Sequence, residues 1–515
     1  MNKKDLYQAI GDLDESTLDV KSSPRRHYGR WLGSIAALLV LAAGIGWYVT
    51  PPQQEPPLVM QDPPAQTEAQ AVVSPMDPTA ETREQEPAAT QQAPDSQDGF
   101  VTLSSPVYPQ MTDYPLTHRG MAQSEEDYDA WKQDILSQTR QGDYAASLDP
   151  FFQKAMASFL SGDPSQNHLC SPANIYMALS MLAEITDGDS RQEILSLLGA
   201  ESLEALRTQA EAVWNAQYHN DKATYMILAN SMWLNEDLKL NQETLNNLSD
   251  YYYAASFAGN PGSAQMDQAL RDWINEQTGG LLSQQAEDIR LDPNTVMALA
   301  STLRYQAKWV APFREGSTRQ RVFNSPTGPE TLDFLHQDLN STYYWGEGFG
   351  AVPLNLQNGG GTMWLILPEE GTSTQALLSG SAIFRFLEEP MTAMQKNATI
   401  HLALPRFDAA ASMDLSEGLQ NMGVRHVFSQ DADFTPIIDP DHPDGLKPAL
   451  TQCNHAVRVA VDEEGVTAAA YTQMGMTSIS APPPQEVDFI LDRPFLFVIQ
   501  SNDGLPLFAG QINHP

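Results

Sequence analysis

The chain has 515 residues with 29 Lys+Arg against 65 Asp+Glu, a formal net charge of −36. So acidic a surface repels nucleic acid and anionic headgroups, which excludes nucleic acid as a partner and offers no basic patch for a polyanion. The length suits one large domain or two smaller ones with appendages, and two cysteines, Cys170 and Cys453, are too few for a disulfide framework.

Residues 1–30 are polar, amphipathic over Lys4–Val20, and end in Lys21, Arg25, Arg26 and Arg30. The run from Trp31 to Val49 holds 19 residues without a charge. As a helix it is about 28 Å long, close to the hydrocarbon thickness of a bilayer. Trp31, Trp47 and Tyr48 sit at its ends, basic residues precede it and acidic ones follow. That pattern predicts an uncleaved, single-pass signal-anchor over 31–49, with the N-terminus in the cytoplasm and the rest outside the cell membrane. A cleaved signal peptide competes, but no small-x-small site follows the run. Residues 50–98 contain ten prolines, nine acidic residues and no Phe, Tyr or Trp. Such a segment buries too little apolar surface to offset its ordering entropy, so a disordered stalk is expected.

Composition turns globular at about Gly99, giving a folded domain over 99–515. Helices are expected over Tyr128–Leu136, Pro150–Leu160 and Gln265–Gly279, and a helix after the turn Ser171-Pro172. Strands are expected over Thr224–Leu234, Val296–Trp309, Met363–Pro368 and Ile400–Phe407. Both cysteines lie beside core-like runs, so buried free thiols are expected over a single bridge. No nucleophile elbow, zinc-binding His-Glu-x-x-His, Cys-x-x-Cys or phosphate-cradling glycine loop is present, which argues against an enzyme. The acidic run Asp439–Gly445 has Asp444 where a calcium loop needs glycine, so it reads as a solvated turn and no metal is expected. No cofactor is implied.

Asp462–Ser480 carries a period-two pattern. Val466, Ala468, Ala470, Thr472, Met474 and Met476 share one face, and Thr467, Ala469, Tyr471, Gln473 and Gly475 the other. An alanine-rich run led by glycine is a poor strand by propensity, and Pro482–Pro484 cut it off from a ladder. The segment can be a strand without being obliged to be one.

Glu463-Glu464-Gly465-Val466-Thr467-Ala468-Ala469-Ala470 resembles the reactive-loop hinge of the serpins, and Asp492–Ile499 with Leu507–Gly510 resembles that family's closing signature. Asn167–Leu182, Ile274–Gly280, Lys308-Trp309 with Pro312-Phe313, and Leu415–Phe428 match further family motifs in order, so the resemblance spans Tyr108 to Pro515. Glu184-Ile185 replaces a usual Gly-Ala pair, a departure that concerns local packing. The resemblance implies an α+β fold of one large mixed sheet, two smaller sheets and about nine helices, and a monomer. It implies suicide inhibition of a serine protease through a covalent complex, cleavage at Ile479–Ser480 and insertion of the cut loop as a strand. Loop length varies in the family, so Met476, Thr477 and Ser478 stay open as the cut position. An uncharged residue there suits elastase-, chymotrypsin- or subtilisin-like enzymes. Gly465 is expected to permit a sharp dihedral change. Ser171, Asn174, Ser301 and His455 take the positions of the polar cluster that governs sheet opening, with amide and hydroxyl exchanged between Asn174 and Ser301, and Trp309 marks where the loop enters. A bacterial surface protein is the host context this arrangement suggests. The other readings are a non-inhibitory surface binding module of the same fold and a cysteine protease inhibitor.

Overall fold

A computed structural model describes residues 99–115, 125–138, 146–287, 289–442, 447–466 and 485–515. The segments 1–30, 31–49 and 50–98, and the loop from Thr467 to Pro484, lie outside the described residues.

The main sheet has eight strands in the order Phe100–Ser104, Ala254–Gly259, Tyr225–Asn235, Met297–Lys308, Gly465–Val466, Leu450–Val461, Phe407–Asp414, with His219–Asn220 paired to Tyr225–Asn235. Alternation fixes its two faces. Met226, Leu228, Met232 and Leu234 join the larger core, whereas Ala229 and Trp233 join a second cluster under the helix Ala264–Thr278. The expected strands at 224–234 and 296–309 appear within a residue or two of their predicted ends. The strand Phe100–Ser104 was not foreseen; it adds to the outer edge of the sheet by pairing antiparallel with Ala254–Gly259.

A second ladder of nine strands runs Gln485–Ile490, Met394–Pro405, Gly328–Gly346, Phe349–Asn355, Thr362–Pro368, Phe495–Gln500, Pro506–Ile512, His168–Cys170, with Arg319–Ser325 on its flank. The two smaller sheets are thus continuous, because Gly328–Gly346 is 19 residues long and belongs to both. The run expected at 400–407 divides. Its first part ends at Pro405, the Arg406 N–H turns to the Asp333 carbonyl, and Phe407 opens the edge strand of the main sheet.

Among the described residues there are eleven α-helices, four of them of seven residues or fewer. Pro172–Glu184 is central, with all thirteen residues buried. A helix apolar on every side must sit inside the core. Ser171 caps it, its Oγ accepting from the Asn174 N–H at 3.2 Å, and Pro172 occupies the first turn where its missing N–H costs nothing. The helix ends on Glu184, 2 % exposed, whose carboxylate accepts from Arg207 Nε and Nη2 at 2.8 and 2.6 Å, Asn247 Nδ2 at 3.0 Å and Tyr252 Oη at 3.0 Å. The unusual residue at this position therefore ties three helices together through one charge. Cys170 and Cys453 are buried and unpaired.

Removing the carboxylate strands the Arg207 guanidinium beside a buried site, so Glu184→Ala should cost about 3–5 kcal/mol of folding stability, measured by urea unfolding.

Candidate functional site: the hinge and the split of the main sheet

Met297–Lys308 and Leu450–Val461 run parallel and pair from Leu450↔Met297 to Ala456↔Thr302. Among the described residues the ladder between them stops there. At its far end the short strand Gly465–Val466 lies between them, Val466 opposite both Ala307 and Val461, and Gly465 opposite Lys308. The chain reaches this position through a tight turn. Asp462 Oδ1 accepts from the N–H groups of Glu464 and Gly465 at 2.9 and 3.0 Å, and Asp462 N–H donates to the Gly465 carbonyl at 3.1 Å. An aspartate is well suited to this, since its short side chain can mimic a turn.

Trp309 holds the turn from the other side. Its N–H donates to the Glu464 carbonyl at 3.0 Å and its indole Nε1–H to the Asp462 carbonyl at 3.0 Å. The Phe313 N–H donates to the Glu463 carbonyl at 2.8 Å, and Thr318 Oγ1–H donates to Glu463 Oε1 at 2.8 Å. The structure thus brings Glu463, Glu464, Gly465, Val466 and Trp309 together. Gly465 does not lie at positive φ. What it needs is the absence of a side chain, because a Cβ would overlap the Ala307 carbonyl oxygen and lie 2.8 Å from Lys308 Cα. Val466 is already buried in the sheet, 1 % exposed. Thr467, Ala468, Ala469, Ala470, Ile479 and Ser480 lie outside the described residues.

Where the parallel ladder ends, a polar row crosses its inner face. Asn230 pairs with Ser301 and Ser301 with His455, so the three side chains share one side. His455 is fully buried and its Nε2 accepts the Ser171 backbone N–H at 3.0 Å. A neutral ring that accepts at Nε2 carries its proton on Nδ1. The side-chain network expected from exchanging Asn174 and Ser301 does not form among the described residues. Asn174 Nδ2 and Oδ1, Asn230 Nδ2 and Oδ1, Ser301 Oγ and His455 Nδ1 are buried without a protein partner. Ser171 meets the cluster through its hydroxyl, which accepts in the helix cap, and through its backbone N–H, which donates to the imidazole. Buried polar atoms left unpaired weaken the packing they sit in, and here they sit at the end of the ladder.

Asn230 escaped the sequence reading, yet the signal was present. In Met226, Leu228, Asn230, Met232, Leu234 it is the one polar residue on the inward face. Arginines do gather at one place. A cavity of about 640 Å³ beside the strand Gln485–Ile490 gathers Arg314, Arg319 and Arg321, but Asp338 and Asp488 share its wall, so it is mixed in charge. No group of three or more potential metal ligands occurs among the described residues.

Burial holds the His455 imidazole down at about 4 from its ordinary 6.5. The unfolded chain therefore takes up a proton between pH 6.5 and about 4 that the folded chain refuses. Stability falls as pH drops through that window, by on the order of 3 kcal/mol at its lower end. Urea unfolding at a series of pH values should show this loss, and His455→Gln should flatten the slope above pH 5. Gly465→Ala should cost about 1–3 kcal/mol through overlap at the hinge, read by thermal unfolding.

Comparison with known proteins accords with this geometry. The family model described as Serpin (serine protease inhibitor) matches residues 147–515. Serpin-Z1C of Triticum aestivum is 27 % identical over 380 residues, covering 71 % of this chain and 94 % of the wheat protein. Alpha-1-antitrypsin 1-1 of Mus musculus is 27 % identical over 393 residues, covering 73 % and 88 %. The native-state crystal structure of the thermophilic serpin tengpin superposes with a TM-score of 0.65 at 22 % identity, covering 73 % of this chain and 95 % of that one, which shows the shared fold. With the family model spanning well over half its length, and the hinge, the split sheet and the closing strands all in place, this chain belongs to the serpin family.

Proposed function

We propose that the chain inhibits serine endopeptidases as a suicide substrate. The observation that carries this reading is Val466, seated between Ala307 and Val461 at the open end of the split, with the rest of the loop free of charge or proline up to Ala481. A loop whose first residue is in register needs only to continue inward, placing Ala468, Ala470, Thr472, Met474 and Met476 on the face of Val466. Each backbone hydrogen bond gained contributes about 0.5–1.5 kcal/mol, and the apolar face adds burial. The uncleaved form is then held by a kinetic barrier.

The protease serine attacks the Ile479 carbonyl, and the C–N bond to Ser480 breaks. The Ser480 amine leaves with a proton, and Ile479 stays on the enzyme as an ester. Insertion of the cut loop ahead of ester hydrolysis carries the enzyme away and distorts its site. The chain supplies no catalytic group. An uncharged Ile479 fits elastase-, chymotrypsin- or subtilisin-like pockets. We place the inhibitor, as a monomer, outside a membrane, held by a helix over 31–49 and spaced from it by 50–98; the apolar length and flanking charges of that run support the assignment.

The test incubates the full chain with pancreatic elastase, chymotrypsin and subtilisin in turn, with products read on denaturing gels and by mass. A covalent complex and a C-terminal fragment beginning at Ser480 are expected. Loop cleavage with neither a complex nor a gain in heat stability would overturn the reading in favour of a binding module. Val466→Arg forces a charge into the sheet and should convert the inhibitor into a substrate, cleaved at the same bond with the complex lost.

A further inference from the structure

Residues 99–115 and 125–138 precede the part of the chain that matches the family model, yet they are built into the domain. Phe100–Ser104 lengthens the main sheet at the edge strand Ala254–Gly259. Phe100 meets Phe257 edge-on at 6.3 Å, and Phe257 stacks on Trp233 at 4.5 Å. Beyond the strand, the Tyr108 ring lies 5.2 Å from Trp214, 5.8 Å from Tyr218 and 6.4 Å from Tyr253. Trp214 belongs to the helix Leu203–Gln217, and its indole donates to the Leu228 carbonyl at 2.8 Å. The Tyr108 hydroxyl donates to Gln277 Oε1 at 3.4 Å, on the helix Ala264–Thr278 across the opposite face. Further on, the Tyr114 N–H donates to the Asp221 carbonyl at 2.8 Å. Trp131, 5 % exposed, donates its indole N–H to the buried Asp221 carboxylate at 3.2 Å.

The segment therefore grips one edge of the main sheet and touches a helix on each of its faces. The apolar packing that begins under the helix Ala264–Thr278 and continues past its end reaches both sides of the split. The cluster holds Ala298 and Ala300 from one side and Ala456 from the other, and Arg458 Nη1 donates to the Leu281 carbonyl just past the helix end at 2.8 Å. Any widening between Met297–Lys308 and Leu450–Val461 must shift that helix, or shift the outer strands together beneath it. Tyr108 resists both, because it joins the helix to the edge.

We propose that residues 99–115, with the helix Glu125–Gln138, form a clasp that sets the rate at which the main sheet opens to accept a new strand. The proposal rests on the insertion reading above. Removing the three ring contacts of Tyr108, each an interaction of modest size, should speed opening by about ten- to a hundredfold.

The test needs no target protease. The full chain is incubated with a synthetic peptide copying residues 466–479, and uptake is followed as the growing fraction that resists urea and heat. Tyr108→Ala should take up peptide at least about tenfold faster than the wild type, and Tyr108→Phe, which keeps the rings together but loses the bond to Gln277, at a rate between the two. A role in folding stability alone would lower the melting point of Tyr108→Ala and leave its uptake rate unchanged; that result overturns the clasp. If Tyr108→Ala does not fold, Tyr114→Ala, which loosens the same segment where it packs on Trp131 at 4.8 Å, is read by the same criterion. A wild-type chain that gains no heat stability from the peptide or from loop cleavage overturns the insertion reading and the clasp with it. One that gains it, with equal rates in the variants, overturns the clasp alone.

Discussion

The parallel ladder between Met297–Lys308 and Leu450–Val461 runs out at Thr302 and Ala456, and nearly every other feature of the molecule bears on that interruption. Two long strands with β-branched and aliphatic side chains would ordinarily pair along their length. Here Gly465–Val466 is wedged between their far ends, so closing the gap from above is sterically blocked. Below the wedge, Asn230, Ser301 and His455 put polar groups under the ladder where apolar packing would have locked it.

The two ends of the split are held by different physics. At the hinge, Asp462, Glu463 and Glu464 are fixed by hydrogen bonds, from the backbone N–H groups of Trp309 and Phe313, from the Trp309 indole and to the Asp462 carboxylate, so directional bonds set the turn. At the closed end the packing of the helix Pro172–Glu184 dominates, and its N-terminus meets His455 through a single N–H. The first arrangement presents a strand in register. The second sets polar groups beneath the end of the ladder.

The ion pair at Glu184 shows the same division of labour at a distance from the split. A carboxylate nearly excluded from solvent is tolerable because four donors surround it. It fixes the helices beneath the sheet against one another and leaves the strands and the helix Ala264–Thr278 outside that tie. Tyr108, from outside the family-matched region, then joins that helix to the sheet edge.

Much of this was legible in the residues themselves. Alternation located the strands Tyr225–Asn235 and Met297–Lys308, and apolar spacing located Asp149–Phe159, because periodicity and backbone preference act over a few neighbours. What they left undecided depends on partners distant in the chain. Gly465 was read as a matter of dihedral freedom, and the fold makes it one of space, since the Ala307 carbonyl arrives from more than 150 residues away. The exchange of Asn174 and Ser301 suggested a preserved network, and only the three-dimensional arrangement shows Ser171 already committed to its cap and to His455. The strand Phe100–Ser104 carries too short a pattern to announce itself, and becomes a strand because Ala254–Gly259 offers it an open edge. Local chemistry determined which segments could be strands; tertiary packing decided which edges were free, which polar groups lacked a protein partner, and hence where the ladder of this sheet is interrupted.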